Sequence, residues 1–505
     1  MSKVSENNFF QSLIKFAPEI LIFIGFFMVQ SILLNNDFWN DELYTLDKFT
    51  FVPIAQTLSD YHVPNNHILF NFINNIYLKI IGIDSLNNLM ETPWKLRVVP
   101  LFYSFITLVF TYKIGREFFS RNIGIIASVV LITTIPFFSY SLQIRGYGLS
   151  TLFLTALIYY SFSFVKQKSN KFLIATILCT SLLFFTIPSN IYYLVCFIFI
   201  LGILSIIKAL KGRKFNFKTL FVSEYSKLIY SIILGIGIAL LLFIPVFNQV
   251  FNNEYVNVRG APFEFWKLDF YFSHVFEGGF SGKTIFIATS IGVLVLINFY
   301  KKEWRKYFLV FIALVILPFF IPYLRGDDPP IRVFVVSMPF FSLFLAISIV
   351  LCFTFLIKEK KYHKGITIGI IAYCFIIFGF EVSKIKKQTL HDIETGDRSH
   401  SLYRQFHTFK YQPLSDMKSF SGIYETSKLP VKIVGCEAFG IPKYLNKYNI
   451  PFAKDSDDLG SYLELHDSCY LVTSKPNSFE EFQEYDFTIL SEKLTYHTIV
   501  KVKRK

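Results

Sequence analysis

Residues 66–82, Asn66-His67-Ile68-Leu69-Phe70-Asn71-Phe72-Ile73-Asn74-Asn75-Ile76-Tyr77-Leu78-Lys79-Ile80-Ile81-Gly82, decide the topology of this chain. They are apolar enough to pass for a membrane span, which needs about 20 such residues. Yet Asn66, Asn71, Asn74 and Asn75 interrupt the run, and Lys79 sits near its end. Counted as a span, the segment would invert every later loop and place the basic clusters outside. The pattern fits an amphipathic helix lying in the outer interface instead, with a shorter companion over 52–60.

Outward from this segment, eleven runs read as spans: 17–35, 97–115, 122–139, 147–165, 172–188, 190–208, 228–249, 284–300, 307–324, 332–357 and 365–382. The first reads as an uncleaved anchor, because Asp37-Phe38-Trp39-Asn40-Asp41-Glu42 follows it rather than a small-residue cleavage site. Every second connection is basic. Lys113, Arg116 and Arg121 lie in one, and Lys166, Lys168 and Lys171 in the next. Lys208 to Lys218, Lys301 to Lys306 and Lys358 to Lys364 follow. Basic loops stay cytoplasmic. The N-terminus is therefore expected inside, and residues 36–96, 250–283 and the tail outside.

Composition agrees. Of 505 residues, 53% are hydrophobic and 17% charged, with mean hydropathy +0.46. Soluble domains carry about 25% charged residues. A soluble enzyme, a disordered chain and a coiled coil are excluded. The net charge of +14 would suggest nucleic acid in a soluble protein. Here the basic residues sit between apolar spans, so topology explains them and no nucleic-acid partner is expected. Six cysteines without paired spacing carry no metal signature and no disulfide framework.

The fold class is thus an all-α polytopic membrane domain over 1–382, of about eleven transmembrane helices with interfacial helices in the first outer loop. A small α/β domain outside the cytoplasm follows over 383–505. In it, Val431–Val434, Cys469–Thr473 and Leu494–Val502 read as strands. A helical stretch runs through Tyr444, and Phe479–Tyr485 also looks helical. Cys436 and Cys469 would share an oxidising compartment, where a bridge between them is one open alternative.

Ionisable residues at the membrane edge mark chemistry. Asp37, Asp41 and Glu42 follow the first span within a few residues, beside Phe38 and Trp39. Adjacent Asp41 and Glu42 cannot share one helix face, so they serve different partners. One carboxylate would deprotonate an acceptor hydroxyl while the other orients it or holds a cation. The bland alternative is headgroup-level polarity. His62-Val63-Pro64-Asn65-Asn66-His67 forms a compact turn, with Asn66 a candidate helix cap. His62 and His67 are candidates to touch a phosphate or metal, or to fix the loop. Outward cations are few: Arg97, Arg145 in Gln143-Ile144-Arg145-Gly146-Tyr147, and Arg325 and Arg332 around Asp327 and Asp328. A guanidinium fork suits a lipid phosphate. Snorkelling to headgroups or pairing with Asp327 or Asp328 is the alternative. Loop 250–283, with Glu254, Tyr255, Arg259, Trp266, His274 and Glu277, would close over a substrate or serve as a cover.

This order of landmarks resembles the GT-C superfamily of membrane glycosyltransferases. More narrowly, it is similar to bacterial relatives of dolichyl-phosphate-mannose protein mannosyltransferase and of lipid A aminoarabinose transferase. The likeness begins with a span followed by Phe38-Trp39-Asn40-Asp41-Glu42-Leu43-Tyr44 and a turn into the helix His62 to Tyr77. It continues through Leu96-Arg97-Val98-Val99-Pro100, Gly115-Arg116, Arg145-Gly146-Tyr147 and the run Arg332 to Pro339. Two departures stand out. Pro64-Asn65-Asn66-His67 replaces the paired prolines of many relatives, and Ser139-Tyr140-Ser141 stands where some carry a carboxylate.

The resemblance implies an inverting transfer of a sugar from a polyprenyl-phosphate donor to a lipid, glycan or protein hydroxyl, on the outer face of a bacterial plasma membrane. Asp41 would be the general base, with Glu42 assisting. Arg145, Arg332 and Arg97 would hold the donor phosphate, unless a divalent metal ion neutralises it. His62, Asn66, His67 and Tyr147 would contact substrate. A lipid-linked saccharide flippase, a surface polysaccharide polymerase or ligase, and a non-catalytic scaffold are the competing readings.

Overall fold

The computed structural model describes residues 2–210, 216–253, 275, 302–325, 329–395, 412–435, 440–454, 458–473, 482–490 and 498–505. Ten of the eleven expected spans fall on helices within these segments, while 284–300 and loop 254–283, apart from Val275, lie outside them. Among the described residues, seven helical stretches are long and apolar enough to cross a membrane: Trp94–Phe118, Tyr147–Gln167, Pro188–Ala209, Glu224–Leu242, Lys302–Pro322, Ile331–Leu356 and Lys360–Gln388. Phe16–Ser31, Arg121–Ile132 and Asn170–Thr186 are shorter apolar helices.

Burial sorts these helices by their surroundings. Ile331–Leu356 is almost wholly enclosed, whereas Lys360–Gln388 is mostly bare. Met28, Leu241 and Phe380 stay exposed, as side chains facing lipid tails do. Inside the bundle, hydroxyls bond back to the carbonyl one turn earlier, as from Thr107 to Tyr103, Thr111 to Thr107 and Thr155 to Thr151. These three hydroxyls are then not left bare in hydrocarbon. The helices Trp94–Phe118 and Arg121–Ile132 cross at Gly115 and Gly124. A Cβ at 115 would lie 2.5 Å from the Gly124 Cα, so only glycine allows this approach.

Some expected spans are not continuous. The run 122–139 divides into Arg121–Ile132 and Ile135–Tyr140, with Pro136 opening the second piece. Pro318 lies in a 3₁₀ turn, Leu317–Phe319, inside the run 307–324. The run 332–357 opens as the 3₁₀ segment Ile331–Ser337, which carries Arg332, and becomes α-helical at Met338 with Pro339 in its first turn. Proline lacks the donor an uninterrupted helix needs, but fits a first turn.

The segment 66–82 does form a helix, Ile68–Ile80, with Ile54–Ser59 as its companion. Its asparagines explain why it is no ordinary apolar run. Asn71 and Asn75 are buried, and Asn75 donates to the Thr50 and Val52 carbonyls at 2.8 and 2.7 Å. The helix cap differs from the sequence expectation: His67 occupies that position, without a side-chain cap bond. Asn66 instead donates to the Thr57 and Asp60 carbonyls and accepts from Asn71.

The tail holds a four-stranded sheet in the order β1-β2-β4-β3, where β1 is Val431–Val434, β2 Ser468–Thr473, β3 Tyr485–Ile489 and β4 Thr498–Arg504. β1 runs parallel to β2, and β4 pairs antiparallel with β2 and β3. β2 is buried along nearly its whole length, as befits a strand covered on both faces. Residues 483–484 form a turn and Tyr485 opens β3, so the end of the expected helix 479–485 is strand; 474–481 lie outside the described residues. Cys469 is buried with a free thiol, and Cys436 lies outside the described residues. The helix Lys360–Thr395 continues past residue 382. Helices Pro413–Ser427 and Gly440–Lys447 share one apolar core with the first loop: Met417, Phe420 and Tyr444 join Phe38, Leu43, Leu46 and Phe70.

Candidate active site

After Ser31 the chain turns into the six-residue helix Asn40–Thr45. Its start is a capping box in which the Trp39 N–H donates to the Glu42 carboxylate at 3.1 Å. This bond points Glu42 inward, where it is fully buried, and leaves Asp41 with 19% of its side chain exposed.

Glu42 is spoken for. Its two oxygens accept from the two terminal nitrogens of Arg97 at 2.9 and 3.0 Å, and Oε1 also accepts from the Ile144 N–H at 2.6 Å. Arg97 further donates to the Asn36, Asp37 and Leu142 carbonyls and lies over the Phe38 ring. Every nitrogen of this guanidinium is engaged. The pair bolts the acidic loop, the start of helix Trp94–Phe118 and the turn before Arg145 together. The structure thus groups Arg97 with Glu42, away from Arg145 and Arg332.

Asp41 faces those other two arginines. Its Oδ2 lies 3.6 Å from the Arg145 Nη1 and 3.5 Å from the Arg332 Nη2. Arg145 is buried, its Nη1 donating to the Thr45 hydroxyl at 3.3 Å, while its Nε has no hydrogen-bond partner. Arg332 donates through Nε to the Tyr147 hydroxyl at 3.1 Å. Tyr147 packs edge-on against Tyr140 and His67, at ring distances of 5.7 and 5.1 Å. Two guanidiniums around one carboxylate leave a net positive charge. The helix Tyr147–Gln167 begins here, and its N-terminus adds to the positive field. The arrangement suits an anion.

The histidines split. His67 is buried, and its Nδ1 accepts from the Gly146 N–H at 2.7 Å. Burial, followed by the charges of Arg145 and Arg332, holds its pKa well below the ordinary value, so it stays neutral. A Cβ on Gly146 would meet the His67 side chain at 2.9 Å. His67 therefore shapes the Arg145-Gly146-Tyr147 turn from behind. His62 lies nearer solvent, bonded through Nδ1 to Asp60 at 2.6 Å and through Nε2 to the Tyr44 hydroxyl at 3.0 Å.

Among the described residues no three His, Cys, Asp or Glu side chains converge as a metal site would require. Asp41 has two guanidiniums for neighbours, which repel a cation. These residues do not fit a divalent ion. The side chain of Arg325, and Asp327 and Asp328, lie outside the described residues, as do His274 and Glu277.

Sequence reasoning missed the tail's part in this region. The Leu414 N–H donates to the Asp37 carboxylate at 2.8 Å, and the Gly440 N–H to the Asn40 side chain at 2.9 Å. The Tyr444 hydroxyl donates to the Phe38 carbonyl at 2.7 Å, and Lys443 pairs with Asp47 at 2.6 Å. Burial pushes the Asp37 pKa up to about 7, against the opposing pull of the Leu414 amide and Arg97. Nothing in the sequence pairs residues so far apart. Thr45 and Tyr140 were also missed, since a lone threonine or tyrosine at a span end carries no signal.

No protein-family model matches the sequence, and no curated protein aligns with it. Among solved structures it is similar to ArnT from Cupriavidus metallidurans in the apo state, with a TM-score of 0.51 and 10% identity, over 95% of this chain and 97% of that one. The same protein bound to undecaprenyl phosphate gives 0.53 and 10%, over 96% and 98%. With its bundle of apolar helices and its small tail sheet, this chain is a polytopic membrane protein with the fold of ArnT.

Proposed function

We propose that this protein is a glycosyltransferase that moves a sugar from a polyprenyl-phosphate donor to a hydroxyl acceptor on a lipid, a glycan or a protein. The observation that carries this reading is the Asp41 carboxylate set between Arg145 and Arg332, at 3.6 and 3.5 Å. A phosphate and a proton acceptor are what such a transfer needs side by side. That ArnT has been crystallised with undecaprenyl phosphate supports a lipid phosphate as the anion.

The chemistry then runs as follows. The donor phosphate docks on Arg145 and Arg332 and competes with Asp41 for their charge, which frees the carboxylate. Asp41 takes the acceptor's hydroxyl proton as that oxygen attacks the anomeric carbon. The bond from that carbon to the phosphate oxygen breaks, and the polyprenyl phosphate leaves with the electron pair, its charge met by the guanidiniums. One displacement inverts the anomeric centre. No second carboxylate faces Asp41 among the described residues for a covalent intermediate, because Glu42 is held by Arg97. Glu42, Arg97 and Asn66 act as positioning residues, and His67 shapes the turn that carries Arg145 and Tyr147.

Arg97, Arg145 and Arg332 stand at one end of their helices, while Lys113, Arg116, Lys166 and Lys168 stand at the other. The positive-inside bias supports a site and tail outside the cytoplasm. The test is transfer by purified protein from labelled polyprenyl-phosphate sugars. Arg145→Ala and Arg332→Ala are expected to weaken donor binding at least about tenfold, as loss of a charged hydrogen bond does. Absence of turnover with every donor, alongside donor binding, favours a flippase instead.

A further inference from the structure

We infer that the C-terminal domain completes the active site by clamping the acidic loop, with Tyr444 and Lys443 as positioning residues for Asp41. This rests on the transferase reading above for its catalytic part. The helix that carries Asp41 has six residues, far fewer than the roughly 12–15 an isolated helix needs to be even marginally stable. Its position must come from its neighbours. On one side Glu42 is fastened to Arg97 and to the Ile144 N–H. On the other, the tail fastens Asp37 through Leu414, Phe38 through Tyr444, Asn40 through Gly440 and Asp47 through Lys443. These four contacts bracket Asp41 in sequence and leave its carboxylate untouched.

The contacts are well made. Tyr444 is fully buried, and its ring joins the core that contains Phe38 and Leu43. Lys447 extends the grip to the Asn87 carbonyl and to Glu91. Loosening the tail frees the loop to move relative to Arg145 and Arg332, which are anchored in the bundle. A displacement of about 1 Å at a reacting group costs on the order of a hundredfold in rate. The domain therefore governs how well Asp41 is aimed, while the phosphate site stands without it.

The test uses the full chain carrying Tyr444→Phe with Lys443→Met, both in helix Gly440–Lys447. Tyr470→Phe serves as the control, because its hydroxyl bonds Ser427 within the tail. Amide hydrogen exchange across 38–46 is expected to quicken by about tenfold or more in the double variant as the loop opens locally, and to stay at wild type in the control. With a polyprenyl-phosphate sugar, kcat is expected to fall about tenfold or more while the donor KM holds, as for a group that acts only in the transition state. Unchanged exchange overturns the clamp, and so does faster exchange with wild-type kcat. If the wild-type protein transfers no sugar at all, the transferase reading fails on its own, and the exchange result alone decides whether the tail holds the loop.

Discussion

Arg97 grips Glu42 through two parallel hydrogen bonds of 2.9 and 3.0 Å, with both side chains at most 5% exposed. A buried charge pair of this kind is costly to break on one side, because the survivor is left uncompensated, by about 3–5 kcal/mol. Glu42→Ala is therefore expected to lower the unfolding temperature in detergent sharply. A double-mutant cycle with Arg97→Ala is expected to show strong coupling. A Glu42→Ala protein that melts like wild type yet is inactive would instead make Glu42 a reacting group.

Gly146 sits where a side chain has no room. Its Cβ would come within 2.9 Å of the His67 Cβ and 3.0 Å of the ring. Gly146→Ala must push His67 or the turn aside, which overpacking data put at about 1–3 kcal/mol. Because Arg145 and Tyr147 flank this position, donor binding is expected to weaken together with stability. Titrating undecaprenyl phosphate against the variant checks this. Wild-type affinity in a destabilised protein would separate the turn from the phosphate site.

Asp37 gives a pH signature. Its pKa rises from 3.8 to about 7 in the folded protein, chiefly through burial. The folded state thus holds a proton that the unfolded chain has lost, so stability declines as pH climbs from about 4 to about 7 and then levels off. Asp37→Asn keeps an oxygen for the Leu414 N–H but carries no charge. Its melting temperature relative to wild type is expected to rise between pH 5 and pH 8. A constant offset between the two proteins would contradict the assignment.

Tyr147 orients Arg332 through its hydroxyl. Tyr147→Phe removes one hydrogen bond worth about 1 kcal/mol, and the donor KM is expected to increase about fivefold with kcat little changed. Steady-state kinetics over a range of donor concentrations reads both. A collapse of kcat would place the hydroxyl in the chemistry itself.

Much of this was legible in the sequence, and the reasons are physical. Long apolar runs have one stable solution in lipid, so the spans could be read directly. The asparagines of 66–82 marked an amphipathic helix rather than a span, but the burial of Asn71, Asn74 and Asn75 was not legible. The acidic run Asp37 to Glu42 and the arginine turn at 145 lie at span ends, where a charge is conspicuous. The partners of those charges were not legible. Whether Arg97 meets Glu42 or a ligand depends on how helix Trp94–Phe118 stands against the first loop. Helix packing sets that, and sequence periodicity does not report it. Tyr444 and Lys443 reach the acidic loop across roughly 400 residues of chain, and a lysine or tyrosine in a small helix looks like any other.

The most direct test of the central claim is Asp41→Asn, which keeps the shape of the side chain and removes its ability to take a proton. Purified variant and wild type are compared for undecaprenyl phosphate binding and for transfer from a polyprenyl-phosphate sugar. The account predicts binding as tight as wild type or tighter, because a negative charge beside the phosphate is gone. It also predicts transfer reduced by about a thousandfold, in the range for loss of a general base. Transfer within a few-fold of wild type in a variant that binds the lipid normally contradicts it.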